Sequence, residues 1–274
     1  MGTVKSLLLG MCFVLGACTS QTSTVQTTEK GTQWEWQNGT IVVKTPERPA
    51  GQKSVLGLTT PKLEAVRVGF VGLGMRGPGA VERFTYIPGT QVVALCDYEE
   101  ARADKCQELL KKASMPKAAV YSGDKGYEEL CKRDDIDLVY IAADWLHHFP
   151  VAKCALENGK NVAIEVPSAM NLQECWDLIN LSESTRKHCF ILENCCYDWC
   201  EMNTLNMAQH GVFGEVIRAQ GAYIHNLSPF WDHYWKNGEN DKLGWRLDYN
   251  MKHRGDVYAT HGLGPVAQAL DIHR

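Results

Sequence analysis

The residues best suited to chemistry begin with Gly72-Leu73-Gly74-Met75-Arg76-Gly77, three glycines spaced for a strand that turns directly into a helix. Gly72 permits the tight turn, Gly74 lets the backbone approach a pyrophosphate, and Gly77 lets helix and strand pack closely. The helix start offers unpaired N–H groups to the anion. Asp97 follows Gly77 by 20 residues, at the end of the next apolar run. A carboxylate there accepts hydrogen bonds from the adenosine ribose hydroxyls and repels a ribose phosphate, so the pattern predicts NAD rather than NADP. A second group is Glu165-Val166-Pro167, read beside Trp145 and His148. Both follow apolar runs, and ligands of open parallel sheets bind beyond the carboxyl ends of strands. Metal chemistry is not expected. Cys195, Cys196 and Cys200 lack a C-x-x-C pair with a downstream match, and His147, His225, His233 and His253 show neither H-x-x-x-H nor H-E-x-x-H.

These groups need strands and helices to hold them. Apolar runs at Val66 to Val71, Gln91 to Cys96, Leu138 to Ala142, Val162 to Val166 and Cys189 to Leu192 read as strands. Helix-like stretches separate them, among them Pro78 to Tyr86, Glu99 to Lys112 and one opened by Asn171 as N-cap with Glu174 after it. Strands alternating with helices imply an α/β fold, a doubly wound parallel Rossmann sheet over 63–195. A helix from Trp199 to His210, a strand at Glu215 to Ile224 and an aromatic-rich loop region then open a second domain over 196–274. One strand cannot build an open sheet, so this α/β domain is expected to be incomplete, either because the chain is truncated or because its remaining sheet comes from elsewhere.

The first residues differ in character. Lys5 precedes an apolar run from Leu7 to Leu15, and Leu15-Gly16-Ala17-Cys18 resembles the lipobox of bacterial lipoproteins. Residues 1–17 are therefore expected to be a signal peptide, Cys18 the lipidated residue, and 18–62 a tether with a short arm and a possible strand at Thr40 to Lys44. The lipid would be the only membrane attachment, placing the protein in the bacterial cell envelope. The chain of 274 residues carries 28 basic and 32 acidic side chains with no basic stripe, which argues against nucleic acid. Eleven cysteines include Cys12 and Cys18, leaving an odd number in the body. Cys96, Cys106, Cys131, Cys154, Cys175 and Cys189 sit in apolar surroundings and read as buried hydrophobes rather than as a disulfide framework.

Glu165-Val166-Pro167, at the end of the Val162 to Val166 strand, resembles the Glu-Lys-Pro of the glucose-fructose oxidoreductase and inositol dehydrogenase superfamily. There the lysine serves the carbinol proton; here Val166 stands in its place and cannot do acid/base work. Four further blocks narrow the resemblance: Val66 to Gly79, Glu193-Asn194-Cys195-Cys196-Tyr197, Gly221-Ala222-Tyr223-Ile224-His225 and Tyr258-Ala259-Thr260-His261-Gly262-Leu263-Gly264-Pro265. Together they look like the NAD-dependent α-N-acetylgalactosaminidases, glycoside hydrolase family 109. The resemblance implies oxidation of the sugar at C3, loss of the C2 proton, elimination of the aglycone, water addition and re-reduction. It implies that Met75, Arg76, Asp97, Trp145, His148, Glu165, Val166 and Asn194 line the cofactor. Tyr223, Arg246 and Tyr258 would face an α-linked N-acetylgalactosamine or related sugar, with His261 as base and Tyr258 beside it. Trp231, Trp235 and Trp245 either form a sugar-stacking platform or anchor long loops. Two rival readings are a periplasmic sugar oxidoreductase and a non-catalytic lipoprotein that binds NAD or a glycan; a homo-oligomer is compatible with each.

Overall fold

The computed structural model describes residues 26–27, 33–43, 46–230 and 244–272. The chain divides into two units, Met1–Pro46 and Glu47–Arg274. In the first, β1 (Gln26–Thr27), β2 (Gln33–Gln37) and β3 (Thr40–Val43) form an antiparallel sheet. Asn38 and Gly39 join β2 to β3 with φ of 49° and 80°, the positive pair that a two-residue type I′ hairpin requires. This hairpin lies within the stretch expected to be a tether. The signal segment and Cys18 lie outside the described residues.

In the second unit β4 (Val66–Val71), β5 (Thr90–Asp97), β6 (Ala119–Ser122), β7 (Leu138–Ile141), β8 (Asn161–Ile164) and β9 (Cys189–Ile191) form one parallel sheet. Its order is β6-β5-β4-β7-β8-β9, the doubly wound arrangement in which the chain reverses direction between β4 and β7. Helices α1 (Gly77–Phe84) and α2 (Glu100–Lys112) cover one face; Val68, Phe70 and Leu95 of the sheet meet Ala80, Val81, Ala103 and Leu110 there. On the other face Val71, Val139, Ile141 and Ile164 meet Leu130 of α3 (Gly126–Cys131), Val151 and Ala155 of α4 (Trp145–Glu157) and Leu178 of α5 (Leu172–Thr185). Burial on both faces is why these strands read as unbroken apolar runs rather than alternating ones. Each fully buried aliphatic side chain contributes about 1.5–3 kcal/mol.

Asn171 caps α5 as expected, accepting the Glu174 N–H at 3.1 Å, while Glu174 accepts the Met170 N–H at 2.8 Å. Residues from Glu47 onward are tied to the same helix. Arg48 makes a two-pronged pair with buried Glu183 at 2.9 and 3.0 Å, and Arg186 donates to the Lys53 carbonyl at 2.6 Å.

Three expectations need correction. Glu215 to Ile224 is irregular rather than a strand, with Ile217 and Ile224 more than nine-tenths exposed. No strand lies beside it among the described residues, and an unpaired segment has nothing to satisfy its N–H and C=O groups in a ladder. The region read as loops after it contains helices Trp245–Lys252 and Ala259–Ala269, following α6 (Trp199–Gln209). Among the cysteines, Cys96, Cys106 and Cys131 are buried and Cys154 and Cys189 half-buried, but Cys175 is exposed. Cys175 lies in the first turn of α5, before Leu178, the first buried residue of that helix. Burial pushes the Cys96 and Cys189 thiols up to about 12 and Cys106 to about 11, which makes them inert core groups.

Candidate functional site

The sheet reverses where β4 ends, and the glycine turn sits there. Gly72 has φ of 91°, and a Cβ on it would lie 2.3 Å from the Ala143 amide nitrogen beyond β7. A Cβ on Gly77 would lie 2.2 Å from the Gly72 carbonyl oxygen, so only glycine lets α1 start this close to the strand. At Gly74 a Cβ would meet nothing nearer than Arg102 Nη1 at 3.7 Å, leaving open space above the backbone. Asp97 is buried at the end of β5. Its Oδ2 accepts the Leu73 N–H at 2.6 Å, which fixes the turn, and its Oδ1 accepts the Glu99 N–H at 3.0 Å. A carboxylate has about four acceptor positions, so acceptor capacity remains for ribose hydroxyls. Turn, open backbone and buried acid fit a dinucleotide.

A cleft of about 650 Å³ opens from this point, within the size range of small-molecule sites. Among the described residues, those singled out from the sequence for cofactor or sugar all line it except Gly77, which is buried under the turn. Arg76 stands at the N-cap of α1 and Met75, before it, is exposed. Trp145 opens α4, whose N-cap Asp144 accepts the Leu146 N–H at 3.0 Å. Its buried ring meets Trp245, Tyr249 and Tyr258 edge-on at centroid distances of 4.8, 5.4 and 5.7 Å. Trp245 is therefore held in this cluster; Trp231, Trp235 and His233 lie outside the described residues. Glu165 accepts the Tyr140 hydroxyl at 2.7 Å, and Val166 beside it is buried.

The far wall of the cleft comes from after the Rossmann sheet. Tyr258 precedes the helix Ala259–Ala269 and His261 lies in its first turn, their rings parallel within 4° at 5.4 Å. Tyr223, from the irregular segment, lies 4.5 Å from the His261 ring centre. The segments meet through glycine, since a Cβ on Gly221 would lie 2.0 Å from the Gly262 carbonyl oxygen. Arg246 donates to the Tyr258 hydroxyl at 2.9 Å, and its guanidinium lies 5.6 Å from Trp145 and 4.9 Å from Trp245 ring centres.

The feature that sequence reasoning missed is Glu193. It follows β9 and accepts the Cys195 N–H at 3.1 Å while its Oε1 lies 2.5 Å from His261 Nδ1. Both side chains are buried, and Glu193 Oε2 has no hydrogen-bond partner among the described residues. The carboxylate fixes the Nδ1–H tautomer of His261, leaving Nε2 as the ring's acceptor on the cleft. The signal available was position, because a carboxylate just past a strand end lies where such sheets bind ligands. Cys195 Sγ, a Glu193 oxygen and a His261 nitrogen lie within 4.8 Å of one another, a grouping distinct from the Cys195, Cys196 and Cys200 set weighed for zinc.

His148 illustrates a buried titratable group with a stability consequence. Its Nδ1 lies 2.6 Å from the Pro167 carbonyl and Nε2 3.0 Å from the Ala143 carbonyl, yet burial outweighs both and lowers its pKa below 6.5. The unfolded chain therefore binds the proton more readily. Stability from the neutral ring is fully present above the unfolded value of 6.5 and is lost as pH falls toward the folded value. His148→Asn removes the titration and keeps a donor. Thermal melts from about pH 7.5 to about pH 5 should show a smaller loss of Tm in this variant than in the wild type, and equal losses would refute the assignment.

Comparison with known families matches residues 66–192 to an oxidoreductase family with an NAD-binding Rossmann fold, and residues 197–274 to the glycosyl hydrolase 109 C-terminal domain. Glycosyl hydrolase family 109 protein 5 of Phocaeicola vulgatus is 84% identical, over 100% of this chain and 53% of its own length. Family 109 protein 1 of Bacteroides thetaiotaomicron is 59% identical, over 99% of this chain and 56% of its own. The chain thus spans about half the length of the curated relatives it matches. A solved myo-inositol dehydrogenase from Lactobacillus casei, in complex with NAD(H) and myo-inositol, overlays at a TM-score of 0.49 and 23% identity, covering 55% of this chain and 43% of that one. The Rossmann part of the chain is an NAD-binding domain.

Proposed function

We propose, from the premise that this chain belongs to glycosyl hydrolase family 109, that it serves NAD-dependent cleavage of α-linked N-acetylgalactosamine or a related sugar. The observation that carries this reading is the buried Glu193–His261 pair, which meets the cleft that the glycine turn and Asp97 also line. When bound, NAD supplies the acceptance and return of hydride at sugar C3. With C3 at the ketone level the C2 proton would be acidic, its loss would expel the aglycone from C1, and addition of water with return of the hydride would leave no net redox change. His261 Nε2 is the base, and Glu193 balances the positive charge that develops on the ring. Arg246 donates to the Tyr258 hydroxyl and fixes it beside the cleft, and Tyr223 bounds the sugar on the other side.

Val166 favours this reading over a sugar oxidoreductase, because the strand-end position of the lysine carries no proton-transfer group. The test is incubation of the purified protein with p-nitrophenyl α-N-acetylgalactosaminide, with and without added NAD⁺. Nitrophenol release without net NADH supports the proposal. NADH accumulation would point to an oxidoreductase, and no release from folded, NAD-loaded protein would reject the hydrolase.

Export and acylation at Cys18 belong to the same proposal, since a cofactor that ends each turnover unchanged suits an envelope enzyme with no exchangeable NAD pool. A fatty-acid analogue should label the wild type in cells and not Cys18→Ala. Equal labelling of both would defeat the lipoprotein assignment.

A further inference from the structure

Arg102 lies in the first turn of α2, and its guanidinium lines the cleft between the glycine turn and the ribose acid. Nη1 is 3.3 Å from Asp97 Oδ1, Nη2 is 2.9 Å from Glu99 Oε1, and Nη1 would be 3.7 Å from a Cβ on Gly74. The cation thus sits against both features expected to meet adenosine ribose and pyrophosphate. Two carboxylates hold it, so the corner has one more negative than positive charge. A guanidinium is also the preferred fork for a phosphate. Nothing in the catalytic pair requires a cation here, since His261 and Glu193 belong to the opposite wall.

We propose that Arg102 and Glu99 determine which dinucleotide the site accepts. Arg102 is a built phosphate-binding group that Asp97 and Glu99 keep occupied. The 2′-hydroxyl of NAD⁺ can share Asp97, whereas the 2′-phosphate of NADP⁺ meets two carboxylates and a guanidinium already engaged. Neutralising Glu99 removes one repelling charge and releases one edge of the fork together. The inference rests on the NAD reading of the cleft.

The test is titration of the purified protein with NAD⁺ and NADP⁺, followed by tryptophan fluorescence or calorimetry, for wild type, Glu99→Gln and Glu99→Gln/Arg102→Gln. Glu99 is exposed and pairs with Arg102 at the surface, so its replacement spares the core. Glu99→Gln should tighten NADP⁺ about three- to tenfold, the size of one charge removed at a solvated site, and change NAD⁺ less than about twofold. The double variant should lose the gain. Unchanged NADP⁺ affinity in Glu99→Gln, or a gain that survives loss of Arg102, would overturn the proposal and leave the pair an ordinary helix-start ion pair. A wild type that binds neither nucleotide would instead remove the NAD reading, and this inference with it.

Discussion

Replacing His261 with alanine should reduce release of nitrophenol from p-nitrophenyl α-N-acetylgalactosaminide by about 10²–10⁴-fold, the usual worth of a positioned base. The ring is buried, its Nδ1 is committed to Glu193, and it lies between Tyr223 and Tyr258 on the cleft wall. Alanine removes the imidazole whose second nitrogen is placed to accept a proton. The glycine turn and Asp97 lie at the other end of the cleft, so NAD⁺ affinity should change by less than about threefold. That split separates loss of chemistry from loss of the binding site. A His261→Ala protein with activity within about tenfold of wild type would show that another group removes the proton.

Glu193→Gln should come close in size, with a loss of about 10²-fold or more, although glutamine has nearly the same shape. An amide can present its N–H to His261 Nδ1, which moves the ring proton to Nε2 and takes the acceptor away from the cleft. The amide also withdraws the charge that balances an imidazolium. A purely structural role would lower Tm without touching the tautomer. Nitrogen NMR of the His261 ring should therefore show Nδ1–H in the wild type and Nε2–H in Glu193→Gln. A variant with the wild-type tautomer and near-normal turnover would reduce Glu193 to packing.

Much of the Rossmann unit was legible because its signals are local. Val66 to Val71 is a strand over the expected bounds, and the glycine turn with Asp97 follows from spacing alone. What escaped depended on partners distant in sequence or on residues with poor propensity. Ala119–Ser122 is a four-residue edge strand whose pairing with β5 no local pattern announces. Glu215 to Ile224 carries the apolar content of a strand without a neighbour among the described residues to pair with. Ala259–Ala269 contains Gly262, Gly264 and Pro265, which count against a helix, yet Gly221 and Gly262 in contact bring His261 to Glu193. The Asn38-Gly39 hairpin was missed within the expected tether, although Asn-Gly between alternating apolar residues is a strong short-range signal.

The same imbalance holds for the site. Residues near the glycine turn could be placed by motif, but Glu193 gains meaning only once folding sets it 2.5 Å from a histidine 68 positions later. Arg102 likewise reads as an ordinary helix cation until Asp97 and Glu99 are seen on either side of it.

In the proposed reaction the glycosidic bond breaks by elimination after oxidation at C3, with a proton leaving C2. Running the reaction in heavy water and measuring the mass of the released sugar tests this directly. One solvent deuteron is expected at C2 of every released N-acetylgalactosamine, with no net NADH. Release of sugar with protium retained at C2 would contradict it, and would mean that this cleft hydrolyses by direct displacement at C1.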